Sequence, residues 1–498
     1  MDISTLNIAA DLQNSIPLLL LLLGGLVLML IEAFGGRKSL PLLTALTLVV
    51  SIVSALIPLG AGNTEYKLGY SNSIAFGGVA SLFHIFLCAS ALFALFFIDD
   101  YLQRNDRVRQ GDIYPLLLFS TIGMVMLANG NDLIVLFIGL EIMSICLYIM
   151  AGMFPKSLQS NEAGLKYFLL GSFASAFLLY GISLIYGISG LNSTLGPTTQ
   201  LDKLSQILPQ LSLSPMLYTA MGLILIGFLF KVAAFPFHNW TPDVYTGAPT
   251  PLAGFMATGG KMAAFIAFSF FMMKIVPSSD SKITTLLVLF SVISMYYGNI
   301  TALMQNNIKR VLAYSSIAHT GYMLLGLCSG MLGYKAVIFY MLVYTFMSIG
   351  AFGIVAMVEN KPEDADLSNW KGLGMQKPWL GIAMSTFLFS LAGMPPLAGF
   401  MGKYFIFASA VKQELYVASV LGILSSVIGA YYYLRILVYM YFYKPDSQTI
   451  TYEPKIVPML GAIVLVVVIL LIGIFPSQIT MFLDGLYTKA GFMSSVTP

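Results

Sequence analysis

Apolar residues in this chain come in long, nearly unbroken runs, without the period of a surface helix or a half-buried strand. About 20 such residues, at 1.5 Å rise each, cross a hydrocarbon core of about 30 Å. Read in this way the chain predicts an all-α polytopic membrane protein with about fourteen transmembrane helices. The runs lie near 16–34, 39–59, 76–98, 114–129, 131–154, 162–189, 215–237, 249–275, 283–304, 309–330, 334–358, 378–410, 414–442 and 456–475. The longest polar stretches are loops near 99–113 and 359–378, so a single membrane domain over 1–498 is expected. The segment MDISTLNIAADLQNS before the first run has no basic n-region and no small-residue cleavage site. The first run therefore reads as a retained helix, not a signal peptide.

Two runs carry proline where a helix would be expected to continue. Pro236 lies in KVAAFPFHNW of span seven, and Pro395 and Pro396 lie in MPPLAGFMGK of span twelve. Proline removes a backbone donor and clashes with the preceding turn, so both helices should break there. Carbonyls freed at membrane depth are tolerated only where protein or trapped water satisfies them. A pair of broken helices in the two halves of a transporter marks its ion path. The spacing fits two five-helix units, spans four to eight (114–275) and nine to thirteen (283–442). The interrupted span is the fourth in each, and an odd helix count would insert the second unit inverted. Three N-terminal spans (1–113) precede them, and the last span (456–475) follows. No convincing sequence repeat accompanies this scheme.

Composition narrows the chemistry. Charged residues make up 9% of the chain and hydrophobic residues 58%, against about 25% charged in a soluble protein. The net charge is +3 and no basic run is dense enough to track phosphates, which argues against nucleic-acid binding. Cys88, Cys146 and Cys328 are far apart in apolar runs, so no local zinc or iron–sulfur framework and no disulfide pattern is visible. No Walker loop, HExxH or strand-to-helix GxGxxG is present. With an outside N-terminus, thirteen of the 25 Lys and Arg residues fall on the inner side, Lys156, Lys309, Arg310 and Lys361 among them. Seven fall outside, which favours both termini outside by the positive-inside rule. The remaining five lie within predicted spans.

An ionisable group at mid-bilayer costs several kcal/mol unless it faces a polar interior, so each is a functional candidate. Glu141 is central in span five, Lys231 ends the apolar run of span seven, Lys261 is central in span eight, and Lys403 follows the second proline break. His319 is central in span ten. Each also has a plainer reading. Glu141, Lys231 and Lys403 could be buried ion pairs that fix packing. His319 could be a core histidine satisfied by Ser315 or Ser316. Lys166 could pair with Glu162 one turn away, and Arg435 could snorkel to the interface. Burial favours a neutral amine and a nearby carboxylate favours the ammonium. A lysine can therefore store and release a proton, whereas an arginine stays charged.

The segments GLEIMSICLYIMAG, EAGLKYFLLGSFASAF, KVAAFPFHNWTPDVYTGAPTP, IKRVLAYSSIAHTGYM and MPPLAGFMGKYF resemble the antiporter-like membrane subunits of respiratory complex I. Those subunits are related to Mrp-type sodium/proton antiporters. The resemblance covers essentially the whole chain and is strongest to the N type. FHNWTPDVYTGAPTP favours N over the M and L types, the lysine in span twelve departs from the glutamate of M, and a long C-terminal extension as in L is lacking. The resemblance implies proton translocation coupled to electron transfer from NADH to quinone. It implies that Glu141 pairs with Lys231, and that Lys261, His319 and Lys403 continue the path, with Lys166 beside it. It further implies no cofactor in this chain, with FMN, iron–sulfur clusters and quinone reduction on other subunits. The implied partners are a neighbouring antiporter-like subunit, small membrane subunits and the lipid bilayer. The implied location is the bacterial inner membrane, with both termini periplasmic. An Mrp-type cation/proton antiporter without redox coupling, a purely structural subunit, and a plastoquinone-linked relative with a ferredoxin donor remain alternatives at this point.

Overall fold

The computed structural model describes residues 8–62, 64–104, 111–191, 196–210, 214–276, 281–444 and 455–490. The helices are α1 (Ile8–Asn14), α2 (Ile16–Ala33), α3 (Leu40–Gly60), α4 (Gly78–Arg104), α5 (Ile113–Asn129), α6 (Leu133–Ala151), α7 (Leu158–Ser189) and α8 (Leu201–Ile207). They continue as α9 (Pro215–Val232), α10 (Trp240–Gly247), α11 (Thr250–Phe255), α12 (Lys261–Lys274), α13 (Ser281–Leu303), α14 (Ile308–Leu327) and α15 (Gly330–Val358). The last are α16 (Leu373–Gln376), α17 (Pro378–Ala392), α18 (Ala398–Lys412), α19 (Tyr416–Phe442), α20 (Ile456–Ile474) and α21 (Pro476–Lys489). Among the described residues, eleven helical segments are long and apolar enough to cross a membrane. The other predicted runs fall on helices that are shorter or more polar: α5, the α17–α18 pair and α14. The expected all-α membrane architecture is what the chain adopts.

Local signals set the ends. Asp132 caps α6 by accepting from Ile134 N (2.8 Å), Ser157 caps α7 through Ser160 N, and Asn307 caps α14 through Arg310 N (3.3 Å). Both proline-containing spans are broken. α9 stops at Val232, where Ala233 turns left-handed (φ 60°), and the chain resumes as α10 after a seven-residue segment, 233–239, carrying Pro236. α17 stops at Ala392, where Gly393 turns left-handed (φ 86°), and the chain resumes as α18. The Phe235–Pro236 and Pro395–Pro396 peptides are both cis. Span eight has an irregularity that proline did not announce: Met256–Gly260 forms a π-helical turn directly before Lys261. A short hairpin, β1 (Lys67–Gly69) against β2 (Ile74–Phe76), and the terminal helix α21 were also outside the sequence reading.

α12, α14 and α15 form the buried centre, while α2, α3, α7, α19 and α20 turn large apolar side chains outward, as a lipid-facing wall requires. Two helix pairs approach closely through facing glycines. In α5 and α6, a Cβ on Gly123 would stand 2.4 Å from Met143 N, and one on Gly139 2.5 Å from Leu127 N. In α13 and α14, a Cβ on Gly298 would stand 2.5 Å from Ala318 N, and one on Gly321 2.7 Å from Met295 N. Small residues that let backbones meet are a common means of helix association in membranes.

Gly139→Ala should therefore force α5 and α6 apart and cost about 1–3 kcal/mol by overpacking. Thermal melts of the purified protein check this, with Gly187→Ala, where a Cβ meets nothing within 4 Å, as the control. Equal melting temperatures would show that the α5–α6 contact yields freely.

Candidate functional site

The freed carbonyls at the two helix breaks have specific donors, and those donors assemble the site. At the end of α9, the Trp240 indole donates to Phe230 O (3.1 Å) and the Thr320 hydroxyl donates to Val232 O (2.7 Å). On the far side of the break, Phe235 N donates to Ser294 Oγ (2.9 Å). At the end of α17, the Lys403 ammonium donates to Leu391 O (3.1 Å) and Ala392 O (2.9 Å), and also to Ser426 Oγ (2.8 Å). A cation at a helix C-terminus also meets the negative end of the helix dipole. Gly393 is needed here twice over: its φ is positive, and a Cβ would stand 3.0 Å from Lys403 Cδ.

Lys231 lies one residue before the first break and is 4% exposed. Its ammonium donates to Ser144 Oγ on α6 (2.8 Å) and to Tyr167 OH on α7 (3.3 Å), and sits 5.4 Å from the centre of the Tyr167 ring. Tyr167 is fixed between Trp240, stacked at 4.4 Å, and the edge of Tyr148 at 4.7 Å. Glu141 lies one turn before Ser144. It does not close an ion pair with Lys231 within 4.0 Å, and its Oε1 is buried without a hydrogen-bond partner. The expected contact pair is thus a pair in one neighbourhood with Ser144 as the direct partner of the lysine. A cavity of about 10 Å³ reaches Lys231 beside Ser175, whose hydroxyl is also buried without a partner. Buried polar atoms of this kind are normally satisfied by ordered water.

Lys261, 1% exposed, points from α12 onto α14. Its ammonium donates to Ser316 Oγ (2.6 Å), Thr320 Oγ1 (3.1 Å) and Ser316 O (3.2 Å). Thr320 thus joins two lysine neighbourhoods: it accepts from Lys261 and donates to the carbonyl next to Lys231. His319, one residue earlier, bonds Tyr340 OH through Nδ1 (2.5 Å) and Tyr433 OH through Nε2 (3.0 Å). Tyr433 in turn bonds Ser315. Lys403 lies 5.2 Å from the centre of the Tyr322 ring, and Tyr322 packs on His319 at 5.7 Å. α14 therefore presents Ser315, Ser316, His319, Thr320 and Tyr322 over two turns and spans from the first break to the second.

Lys166 stands apart from this line. Its side chain is 40% exposed and pairs with Glu162 (2.5 Å) and with Asp243 on α10 (2.8 Å); Asp243 also meets Arg310 (3.3 Å). The structure does not bring Lys166 among the buried groups. Arg435 holds the turn after α13, donating to Leu303 O (2.8 Å) and Gln305 O (2.5 Å), instead of extending freely to the interface. Among the described residues, no group of three or more His, Cys, Asp or Glu side chains is placed to hold a metal ion.

Residues 130–429 match the family described as NADH:quinone oxidoreductase/Mrp antiporter, transmembrane. The NADH-quinone oxidoreductase subunit N of Trichlorobacter lovleyi is 42% identical over 97% of this chain and 98% of that protein. The chain belongs to the subunit N family. A chain of respiratory complex I from Thermus thermophilus, solved with bound aureothin, shares 33% identity at a TM-score of 0.79, covering 94% of this chain and 99% of its own length. A chain of the Mrp complex from a Dietzia species superposes at a TM-score of 0.83 over 98% of both chains, but at 19% identity it shows the shared fold alone. In this subunit N family member, sequence reasoning missed Ser144, Ser316, Thr320, Tyr433 and Ser426 as lysine and histidine partners. Hydroxyl side chains are common in membrane helices, and no spacing rule marks these five.

Thr320→Val removes one hydroxyl and leaves both Val232 O and Lys261 short of a partner. An unsatisfied buried carbonyl costs about 1–3 kcal/mol. The variant should melt lower and turn over more slowly, and Thr320→Ser should restore both. Unchanged melting and turnover in Thr320→Val would show that another donor reaches Val232 O.

Proposed function

We propose that this chain is a proton-translocating membrane subunit of an NADH–quinone oxidoreductase, moving protons along a line of buried lysines. The observation that supports this best is a set of buried amines held by hydroxyl groups, Lys231 on Ser144, Lys261 on Ser316 and Thr320, and Lys403 on Ser426, with Thr320 also donating to Val232 O beside Lys231. Among the described residues, no acidic partner closes a contact ion pair with any of the three lysines within 4.0 Å, so none is fixed in the charged state as a packing bridge would be. Glu141 biases the Lys231 end through space. Protons pass by water and hydroxyl relays between Glu141, Lys231, Lys261, His319 and Lys403. Lys166 anchors α10 to α7 at the edge of this path.

The redox chemistry belongs to other subunits in this reading: FMN, iron–sulfur clusters and the quinone site lie outside this chain. Its partners are a neighbouring antiporter-like subunit, small membrane subunits and bilayer lipid. The chain sits in the bacterial inner membrane with both termini periplasmic, and 114–275 and 283–442 act as two inverted five-helix units. The matching glycine contacts of α5–α6 and α13–α14, and the break in the fourth span of each unit, support that division.

Two experiments test the reading. Replacing Lys231 with Ala, or Glu141 with Gln, in the complex reconstituted in liposomes should lower proton uptake and NADH oxidation together. Either change removes the through-space interaction between the two groups that sets how readily the lysine holds its proton. Lys231→Arg should not rescue fully, because a guanidinium does not give up its proton. Normal assembly with wild-type rates in both single variants would make these groups packing residues. For topology, a reporter at Asp364 should label from the cytoplasmic side and one at Ser193, a position outside the described residues, from the periplasmic side. The opposite labelling would invert the orientation.

A further inference from the structure

At the end of the bundle that the loop charges assign to the cytoplasm, a second buried charge site lies outside the lysine line. The sequence places Lys309 and Glu359 at loop edges, yet both side chains are only 5% exposed, with Nζ and Oε1 3.4 Å apart. Lys309 also donates to Ala248 O (3.2 Å), and the Thr250 hydroxyl bonds the other oxygen of Glu359. The pair borders a cavity of about 70 Å³ whose wall includes Ser157, Gln159, Thr246, Asn360 and Lys361. That volume and polar lining suit a few water molecules. Around it, Arg104 donates to Glu359 O (3.2 Å) and pairs with Asp100 (2.8 Å), and Lys455 lies 3.8 Å from Asp100.

From this cavity a polar route leads inward. Lys309 and Ser316 are both on α14, seven residues or about 10 Å apart along its axis. Thr246 lines the cavity, and beside it on α10 the hydroxyls of Tyr245 and Thr241 are buried without hydrogen-bond partners. Tyr245 faces Ser316, the direct partner of Lys261. Unpartnered buried hydroxyls one turn apart mark positions where water completes the link.

We infer that Glu359, held by Lys309 and Thr250, is the proton-uptake group that loads Lys261 from the aqueous side. This inference rests on the lysine-line reading above. A proton from cavity water adds to the Glu359 carboxylate, giving the neutral acid and releasing the electrostatic hold on Lys309. The acid then gives that proton to water at Tyr245 and Thr241, and it ends on the neutral amine of Lys261, making the ammonium. Glu359 returns to the carboxylate and pairs again with Lys309. Only O–H and N–H bonds change, and one proton moves.

A packing role and an uptake role predict different outcomes when both charges are removed together. Replacing a buried pair by uncharged side chains of similar size is often neutral for stability. The test uses the intact complex in liposomes with Glu359→Gln, the double variant Glu359→Gln/Lys309→Met, Glu359→Asp and, in parallel, Lys261→Ala. Glu359→Gln and the double variant should both lose about 100-fold in coupled proton uptake and NADH oxidation, as loss of an acid–base relay does. Glu359→Asp should recover at least half. Should the double variant run at the wild-type rate, the pair is packing and the inference falls. If Lys261→Ala is slow while the Glu359 variants are not, uptake runs elsewhere and the lysine line still stands. Wild-type rates in Lys261→Ala as well would bring down the lysine line and this inference with it.

Discussion

A backbone carbonyl stranded in hydrocarbon, with no donor and no water, costs several kcal/mol. That constraint organises this molecule. Breaking a helix at Val232 and again at Ala392 creates such carbonyls near the centre of the chain's most buried region, and each must be answered by a side chain. At the first break the answer is neutral: an indole and a hydroxyl, from Trp240 and Thr320. At the second it is a cation, Lys403. The first arrangement leaves Lys231 free to face α6 and α7, and the second recruits the lysine itself into the backbone.

α14 is the common member of both arrangements. Its sequence, with Tyr314, Ser315, Ser316, His319 and Thr320 in close succession, is more polar than that of the other spans around it. It is stable there because it is surrounded: Gly298 and Gly321 let α13 lie against it, and α10, α15 and α18 cover its other sides. Ser315, Ser316, His319, Thr320 and Tyr322 each then meet a partner from a different helix, which fixes the relative positions of Lys261, His319 and the α9 break.

Much of this was legible in the sequence. Long apolar runs located the spans, and proline at 236 and at 395–396 located both breaks, because proline removes a backbone donor and clashes with the preceding turn. Charges within apolar runs marked Lys231, Lys261, His319 and Lys403, all of which prove buried. The rest depended on tertiary placement. Thr258, Gly259 and Gly260 offered only a weak hint of the π-turn before Lys261. Lys309 and Glu359, at the ends of adjacent spans, looked like loop charges because burial at a helix end is decided by the neighbouring loop, not by local sequence. Lys166, one turn into span six, keeps the pairing with Glu162 that its spacing suggested and reaches Asp243 at the rim. Glu141 and Lys231 share a region without touching, since Ser144, one turn on, reaches the ammonium first.

The surroundings of Lys403 bear on how a lysine can change charge without disturbing its helix. An ammonium has three hydrogens to give, and here they go to two carbonyls and one hydroxyl. Remove one proton, and the amine keeps two hydrogens, enough for Leu391 O and Ala392 O, and gains a lone pair. The Ser426 hydroxyl can rotate and donate to that lone pair where it had accepted. Both charge states are then fully hydrogen-bonded in the same geometry, and the broken end of α17 need not move when the proton leaves. A carboxylate in place of Ser426 would have lacked that reversal, and would have tied the lysine to one state.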